Sequence, residues 1–459
     1  MKLSKYIAVA ALSLAMTSCG IYKKYEMPIE NSYMNRYAEA LAQPVDSTSL
    51  PYLGWEQVFS DPLLQDYIRT ALAQNTDLDN AVQNVKIAQA QLQGAKLSYF
   101  PAVALSPNGG AAKYGSGKMD TWTYTIPMSI QWEIDVFGKI LNRKRGARIT
   151  VDQMQEYQAA TRSQIISAVA NVYYSLVLLN QQLDLTQRTS RIWKDQVESM
   201  KLMKNAGMVN EAAVVQSTAN YWNIMSTIPD IRQAIHELNN SMALLLHEPA
   251  TKTYAVTGNL DFELPVSIEN GVPMYYLAAR PDVRAAERGV AAAYYSVSSA
   301  RAAFYPSLMI SSNGGFTNLL GSIVRNPGEF FIQLAGQLTA PLFSRGQNIA
   351  NLKVAKANQK VAMNNFENTV LAASSDVSDA LSQFKNNKEK HEYLLQQINN
   401  LEKSVEYTQE LLTLDQKTTY LEVLTAQSSL LSAQLASLNC WHSKVAACIT
   451  LYQAVGGGR

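Results

Sequence analysis

The stretch that decides the fold is WTYTIPMSIQWEID, residues 122–135. Its apolar and polar side chains alternate one by one, so an extended backbone would place them on opposite faces. The apolar face begins with Trp122 and Tyr124 and returns to tryptophan at Trp132, with Pro127 as its one interruption. This pattern predicts a strand whose apolar face lies either against a protein core or against lipid.

The same local pattern occurs twice in the chain. Residues 76–103 match residues 281–308 at a constant shift of 205, since Pro101 pairs with Pro306. Each copy reads as a helix, a strand pair and a very long helical stretch, which predicts an internal duplication. The first repeat is predicted to span 61–270, with its strands in about 101–136. The second is predicted to span 271–455, with its strands in about 306–343, and residues 456–459 form a tail.

The helical stretches are unusually long. Neither glycine nor proline occurs in residues 147–206 or 347–455. Apolar residues recur there at heptad spacing, which predicts helices that meet along a narrow seam. The small polar residues Thr186 and Ser190 fall on that seam and would let neighbouring helices approach closely. A dimeric coiled coil has the same helical pattern, but it does not account for the strands.

The N-terminus MKLSKYIAVAALSLAMTSC has the charged and apolar regions of an export signal. Its apolar run is too short to span a bilayer of about 30 Å. Residues 16–19 resemble a lipobox, although Met16 stands where leucine is usual. We therefore expect a lipoprotein signal peptide over 1–18, a covalent acyl lipid on Cys19 and an acylated segment over 19–60. A plain secretory signal is the alternative.

Composition excludes several functional classes. The net charge of +2 gives no basic footprint for nucleic acid, and the hydrophobic content of 47% excludes global disorder. The four histidines show no zinc-type spacing, and residues 115–119, GSGKM, lack the leading glycine of a phosphate loop. Cys440 and Cys448 are too far apart on a helix for a disulfide, which predicts small buried residues. We expect that the protein has no enzymatic activity and that it binds no metal and no cofactor besides the acyl lipid.

Four strands are too few to close a barrel, and open sheet edges are not viable in lipid. Three chains would supply twelve strands, a number found in outer-membrane barrels. A small soluble sheet packed on the helices remains the alternative, because a half-buried sheet alternates in the same way.

An ordered set of motifs resembles the TolC-like outer-membrane efflux protein family, in its lipoprotein branch. The motifs are WEQVFSDPLLQDYI, YFPAV, SIQWEIDVFGK, RPDVRAAE, FYPSLMISSNGGF and APLFSRG. The resemblance implies an α+β membrane protein that assembles as a homotrimer. Four strands from each chain would form a shared twelve-stranded outer-membrane β-barrel, continued by a twelve-helix periplasmic α-barrel.

The resemblance also implies candidate site residues where the heptad pattern breaks. The second-half helical tip of such proteins carries a bulky apolar residue and an inward carboxylate, which match Leu421 and Glu422. Thr425 stands where aspartate is frequent, so a second ring of charge is missing. Alternatively, Glu422 is a solvated charge at a helix start. The tip residues expected to contact a periplasmic adaptor are Gly207, Glu211 and Lys417.

The expected function is a passive outer-membrane exit duct of a tripartite efflux pump of the resistance–nodulation–division type. Its partners would be two further copies, the adaptor, an inner-membrane pump and outer-membrane lipid. An exit duct for a type I protein-secretion transporter is one alternative. A coiled-coil envelope scaffold without a pore is another.

Overall fold

The computed structural model describes residues 22–27, 37, 39, 50–112, 121–258, 260, 262, 265, 274–320, 323–414 and 420–458. Predictions for residues 1–18, Cys19 and Lys417 therefore lie outside the described residues. Short 3-10 turns occur at Leu50–Tyr52 and Met274–Ala279. The described elements are, in chain order, α1 Trp55–Val58, α2 Pro62–Gln74, α3 Thr76–Leu97, β1 Ala102–Leu105, β2 Asn108–Ala112, β3 Thr121–Ile134, α4 Lys139–Asn205, α5 Glu211–Leu245, α6 Pro281–Ala302, β4 Ser307–Leu320, β5 Ile323–Thr339, α7 Gln347–Leu414 and α8 Tyr420–Ala454.

The helix lengths agree with the predicted duplication. Helices α3 and α6, which precede the strands, have 22 residues each. The long helices α4 and α7 have 67 and 68 residues, and α5 and α8 have 35 each. From the 22-residue helix onward, each half therefore repeats the same order of elements at nearly the same size.

The compact units of the chain do not coincide with the two repeats. One unit comprises Met1–Glu30, Gln83–Gln155 and Ala285–Asn368, and it contains the strands. The other comprises Asn31–Val82, Glu156–Arg284 and Thr369–Arg459. Each unit takes elements from both repeats, and in the first unit the reason is that β3 of one half pairs with β4 of the other.

The first three residues of the predicted tail at 456–459 are packed against the second unit. Gly456, Gly457 and Gly458 are buried within the second unit, where the Ser163 hydroxyl donates to the Gly457 carbonyl at 2.6 Å. These glycines terminate α8 inside a packed core rather than extending from it.

All strands belong to one antiparallel sheet with the order β1–β3–β4–β5. Strand β2 also pairs with β3, farther along the same edge, so β1 and β2 form one interrupted strand opposite β3. The break falls at residues 106–107, where Pro107 has no N–H to continue the ladder. The sheet thus has the four predicted strand positions, with β1/β2 at one edge and β5 at the other.

The apolar face of β3 is not covered by protein in the part of the chain that the structure describes. Trp122 is 68% exposed, Met128 47% and Trp132 41%. On β5, Ile332 and Leu334 are also largely exposed. Neither a soluble sheet packed on helices nor an ordinary core explains so much exposed apolar surface on two strands of one sheet.

A side chain replaces backbone pairing near one end of β4. The ladder between β4 and β5 is irregular between Thr317 and Leu319. There the buried Asn318 amide donates to the Trp122 carbonyl at 2.9 Å and accepts from the Tyr124 N–H at 2.6 Å. Asn318 therefore keeps β3 joined to β4 where the backbone register shifts.

Replacing Asn318 by alanine should lower the free energy of unfolding by about 2 kcal/mol, because two backbone groups of β3 lose their partners. The measurement is the shift in thermal unfolding midpoint of the purified protein in detergent. Asn313→Ala, on an exposed position of the same strand, is the matched control. Equal midpoints for the two variants would contradict the role assigned to Asn318.

A half-buried carboxylate, Asp61, connects distant parts of the second unit. One oxygen of Asp61 accepts from the hydroxyls of Tyr173 at 2.6 Å and Thr257 at 2.5 Å, while the other caps α2 through the Leu63 N–H at 2.9 Å. Burial, together with the hydrogen bond to Asp61, raises the pKa of Tyr173 to about 12. The phenol therefore stays protonated and keeps donating to Asp61 at physiological pH.

Several other predictions can be compared with these helices. Thr186 and Ser190 are buried, as expected for seam positions, and Cys440 and Cys448 are buried free thiols. Across the described ranges, we find no helix with both the length and the apolar character needed to cross a bilayer.

Candidate functional site

The predicted helix tips share one apolar cluster in the second unit. Met200 near the end of α4, Val214 at the start of α5 and Tyr420 and Leu424 at the start of α8 form its buried centre. Leu412 near the end of α7 packs against them. The cluster holds the ends of both helical hairpins together within one chain.

The turn from α4 to α5 depends on Gly207. Its φ of 75° is the left-handed conformation that glycine adopts without steric cost. The Gly207 N–H donates to the Lys204 carbonyl at 2.9 Å, and the Met208 N–H donates to the Met203 carbonyl at 2.9 Å. This pair of hydrogen bonds is the Schellman ending of a helix.

Helix α5 begins directly after this turn. The Asn210 side chain accepts from the Ala213 N–H at 3.1 Å and so caps the helix. Glu211 lies in the first turn of α5, is exposed and forms an ion pair with Lys204 across the turn. The predicted tip residues Gly207 and Glu211 therefore lie on one exposed turn, which leaves them accessible to a partner.

Substituting Gly207 by alanine should destabilise this turn by about 1 kcal/mol, since a Cβ is disfavoured at positive φ. Space is not limiting, because nothing lies within 4 Å of a Cβ built there. Gly207→Asn should destabilise the turn less than Gly207→Ala does, because asparagine tolerates the left-handed conformation. Amide hydrogen exchange in the α4–α5 turn should be slowest with glycine at position 207, faster with asparagine and fastest with alanine. Faster exchange with asparagine than with alanine would refute this prediction.

The predicted gate residues lie at the start of α8. Leu421, Glu422 and Thr425 are all exposed, with Leu421 64% accessible, whereas Val423 and Leu424 between them are buried. The Thr425 hydroxyl donates to the Leu421 carbonyl at 2.8 Å within the helix. The structure thus brings the three residues together on the face of α8 that points away from the apolar cluster.

Glu422 also lies in the first turn of α8, where a negative charge is favourable next to the helix N-terminus. Its position is consistent with both predicted roles, a gate carboxylate and a helix-start charge. Lys417, the remaining predicted tip residue, lies outside the described residues.

Tyr420 is a site residue that the sequence analysis did not single out. It precedes the gate residues and is buried in the tip cluster, so it fixes the first turn of α8 against α4 and α5. The signal was available, because Tyr420, Leu424 and Gln427 have the helical spacing of one buried face.

The described residues contain no group of three or more histidine, cysteine, aspartate or glutamate side chains that could hold a metal ion. The candidate site is therefore best described as a surface of helix ends with a few exposed charges.

Comparison with known proteins identifies the family of this architecture. Residues 67–246 and 273–457 match the family described as outer membrane efflux protein. The chain is 27% identical to the cation efflux system protein CusC of Escherichia coli O6:H1 over 97% of both chains. It is 26% identical to the probable efflux pump outer membrane protein TtgC of Pseudomonas putida, over 97% of this chain and 95% of that one.

A solved structure of CusC, studied for folding and transmembrane channel formation, superimposes with a TM-score of 0.83 at 25% identity. The superposition covers 95% of this chain and 98% of that one. The predicted α+β channel fold is thereby confirmed. The chain belongs to the outer membrane efflux protein family and acts in the outer membrane as the channel component of an efflux system.

Proposed function

We propose that three copies of this chain form one continuous exit duct, with twelve strands in the outer membrane and twelve helices in the periplasm. The open sheet of each chain supports this assembly. Within the described residues, no further strand pairs with its β1/β2 edge or its β5 edge, and lipid cannot satisfy the backbone groups of an open edge. Edge-to-edge pairing of three such sheets removes every open edge.

The exposed apolar face supports the orientation of the strands. Trp122 and Tyr124 lie toward one end of β3 and Trp132 lies toward the other, which is the aromatic spacing of outer-membrane strands. This face contacts lipid, and the opposite face, with Thr125, Ser129 and Gln131, lines the water-filled interior. Cys19 carries an acyl lipid that adds a second attachment to the membrane.

The duct works passively and receives its cargo from partners. A periplasmic adaptor contacts the helix tips at Gly207, Glu211 and Lys417 and connects them to an inner-membrane pump of the resistance–nodulation–division type. The relatives are named for different efflux systems, one of them for cations, and a wide aqueous channel imposes little selection of its own. The pump therefore chooses the cargo.

Three copies of Leu421, Glu422 and Thr425 form the periplasmic constriction in this proposal. The observation that carries it is their shared exposure on one face of α8, beside the buried tip cluster. Three carboxylates in a narrow aperture attract cations and disfavour anions. Without aspartate at position 425, the Glu422 ring alone provides the charge near Thr425.

Single-channel recording in planar bilayers tests the duct and its gate together. Glu422→Ala should increase the open probability and reduce the cation-to-anion permeability ratio by at least about twofold, because three charges leave the aperture. Glu237→Gln, an exposed carboxylate on α5, serves as the control and should change neither quantity. Absence of current from both the wild type and Glu422→Ala would refute the duct.

Deletion of the gene for this protein from its host distinguishes an efflux pump from a protein-secretion transporter. Increased sensitivity to drugs or metal ions with an unchanged set of secreted proteins supports the efflux pump. Loss of a secreted protein without a change in sensitivity would instead assign the duct to a protein-secretion transporter.

A further inference from the structure

A cavity that is partly open to solvent lies between helices α4, α7 and α8. Its volume is about 780 Å³, within the range of about 300–1,000 Å³ of small-molecule pockets. All of its lining residues belong to one chain and one compact unit. The cavity therefore forms within one chain, without a second copy.

The walls of the cavity are mainly apolar. Ile192 and Trp193 of α4, Ile398 of α7 and Leu430 and Leu431 of α8 contribute to them. Trp193 is buried, so the indole forms part of the wall rather than of the surface. An apolar or aromatic body fits this lining better than the disordered water that would otherwise fill it.

One buried polar group in the wall lacks a partner. Gln427 lines the cavity and is only 7% exposed, and among the described residues its Oε1 accepts no hydrogen bond. A buried acceptor without a donor is unfavourable, so an occupant that supplies a donor gains affinity there. Gln181, by contrast, already donates its amide to the Gly258 carbonyl at 3.0 Å.

The charges around the cavity restrict the occupant further. The lining includes Arg188 but no aspartate or glutamate. Arg188 is largely exposed and forms an ion pair with Asp184 on the outer surface of α4. A cationic ligand would find no counter-charge in the lining, whereas a neutral or weakly acidic ligand meets no repulsion.

We propose that this cavity binds a neutral or weakly acidic aromatic amphiphile, a phenol-like molecule whose hydroxyl donates to Oε1 of Gln427. Its ring lies against Trp193 and the leucine and isoleucine side chains of the wall. Bound there, the molecule contacts three helices at once, including the helix whose first turn carries Leu421 and Glu422.

Equilibrium dialysis with the purified full-length protein in amphipol tests the proposal, with amphipol alone as the reference for partitioning. The probe is 2-naphthol, and naphthalene is its counterpart without a donor. We expect saturable binding of one 2-naphthol per chain, with affinity about tenfold higher than that of naphthalene.

Two substitutions locate the binding in this cavity. Gln427→Leu should weaken 2-naphthol about tenfold and leave naphthalene unchanged, since only the acceptor is removed. Leu430→Trp, which places an indole on the wall one helical turn from Gln427 where the ring of the probe would lie, should weaken both probes at least about tenfold. Gln397→Leu is the control, because Gln397 lies exposed on α7 outside the lining, and it should change neither affinity.

The proposal is overturned if 2-naphthol shows no saturable binding, if naphthalene binds equally well, or if Leu430→Trp leaves both affinities unchanged. If Gln427→Leu fails to fold, the two probes on the wild-type protein and on Leu430→Trp still decide the question. None of these measurements requires conduction, so their failure would leave the proposed duct untouched.

Discussion

Substituting Gly457 by alanine is expected to lower the free energy of unfolding by about 3 kcal/mol. A Cβ built on Gly457 would lie 2.5 Å from Cδ2 and Cζ of the Tyr452 ring. The ring cannot easily move away, since Tyr452 is 1% exposed and its hydroxyl donates to the Leu53 carbonyl at 2.9 Å. The added methyl group must therefore displace either the ring or the end of the chain.

The measurement is the thermal unfolding midpoint in detergent, followed by far-ultraviolet circular dichroism. Gly94→Ala is the matched control, because nothing lies within 4 Å of a Cβ at that position in α3. There alanine should raise stability by about 0.5–1 kcal/mol, since glycine is a poor residue within a helix. Similar midpoints for the two variants would show that the glycine tail is not packed as described.

The strand that decides the fold could be predicted because its information is local. Alternation over residues 122–135 depends only on the two-residue period of a strand, and the exposed apolar face of β3 agrees with it. The same holds for the long helices, whose ends coincide closely with Gly207 and Gly346. Helix α5 ends differently, with the non-glycine His247 in the left-handed conformation at a φ of 55°. Pro249, two residues after His247, is the local signal of that ending.

The buried glycine tail could not be predicted, because its contacts come from distant parts of the chain. A run of glycines usually marks an unconstrained end, and the sequence of residues 456–458 alone supports that interpretation. In the structure the run is bounded by Arg280, Ser163 and Tyr452, which reach it only after folding. The cavity beside Gln427 was missed for the same reason, since three separate helices form it.

The candidate gate shows where motif resemblance helps and where packing must be known. Resemblance selected Leu421, Glu422 and Thr425, which do share an exposed face. It did not select Tyr420, because the importance of that residue lies in its contacts with Met200 and Val214 on other helices. The conductance measurement on Glu422→Ala tests whether the exposed Glu422 side chain faces the inside of the duct.

Arg280 is expected to be the second large contributor to stability, and Arg280→Ala should cost about 3 kcal/mol. Its guanidinium donates to both carboxylate oxygens of Asp282 at 3.0 and 2.8 Å and to Asp376 at 3.1 Å. It also donates to the Ala454 carbonyl at 3.1 Å, at the last turn of α8. Burial opposes the charge on Arg280, but the two carboxylates outweigh it and hold the pKa of the guanidinium above its usual value.

Arg280→Lys separates charge from geometry. Lysine keeps the positive charge but cannot form the two parallel hydrogen bonds to Asp282 and reach Ala454 at once, so it should recover less than half of the loss. Arg232→Ala, an exposed arginine on α5, should change stability by no more than about 0.5 kcal/mol. If Arg280→Lys retained the full stability of the wild type, the positive charge alone would matter and the paired hydrogen bonds to Asp282 would not.

The two substitutions should also be less than additive when combined. Arg280 and Gly457 hold the same end of α8, and the Cα of Arg280 lies 3.0 Å from a Cβ built on Gly456. Once either contact is lost, the end of the helix is already released, so the second loss costs less. A double variant whose loss of unfolding free energy falls short of the sum of the two single losses by more than about 0.5 kcal/mol supports this coupling. Strict additivity would mean that the arginine and the glycine tail stabilise α8 independently.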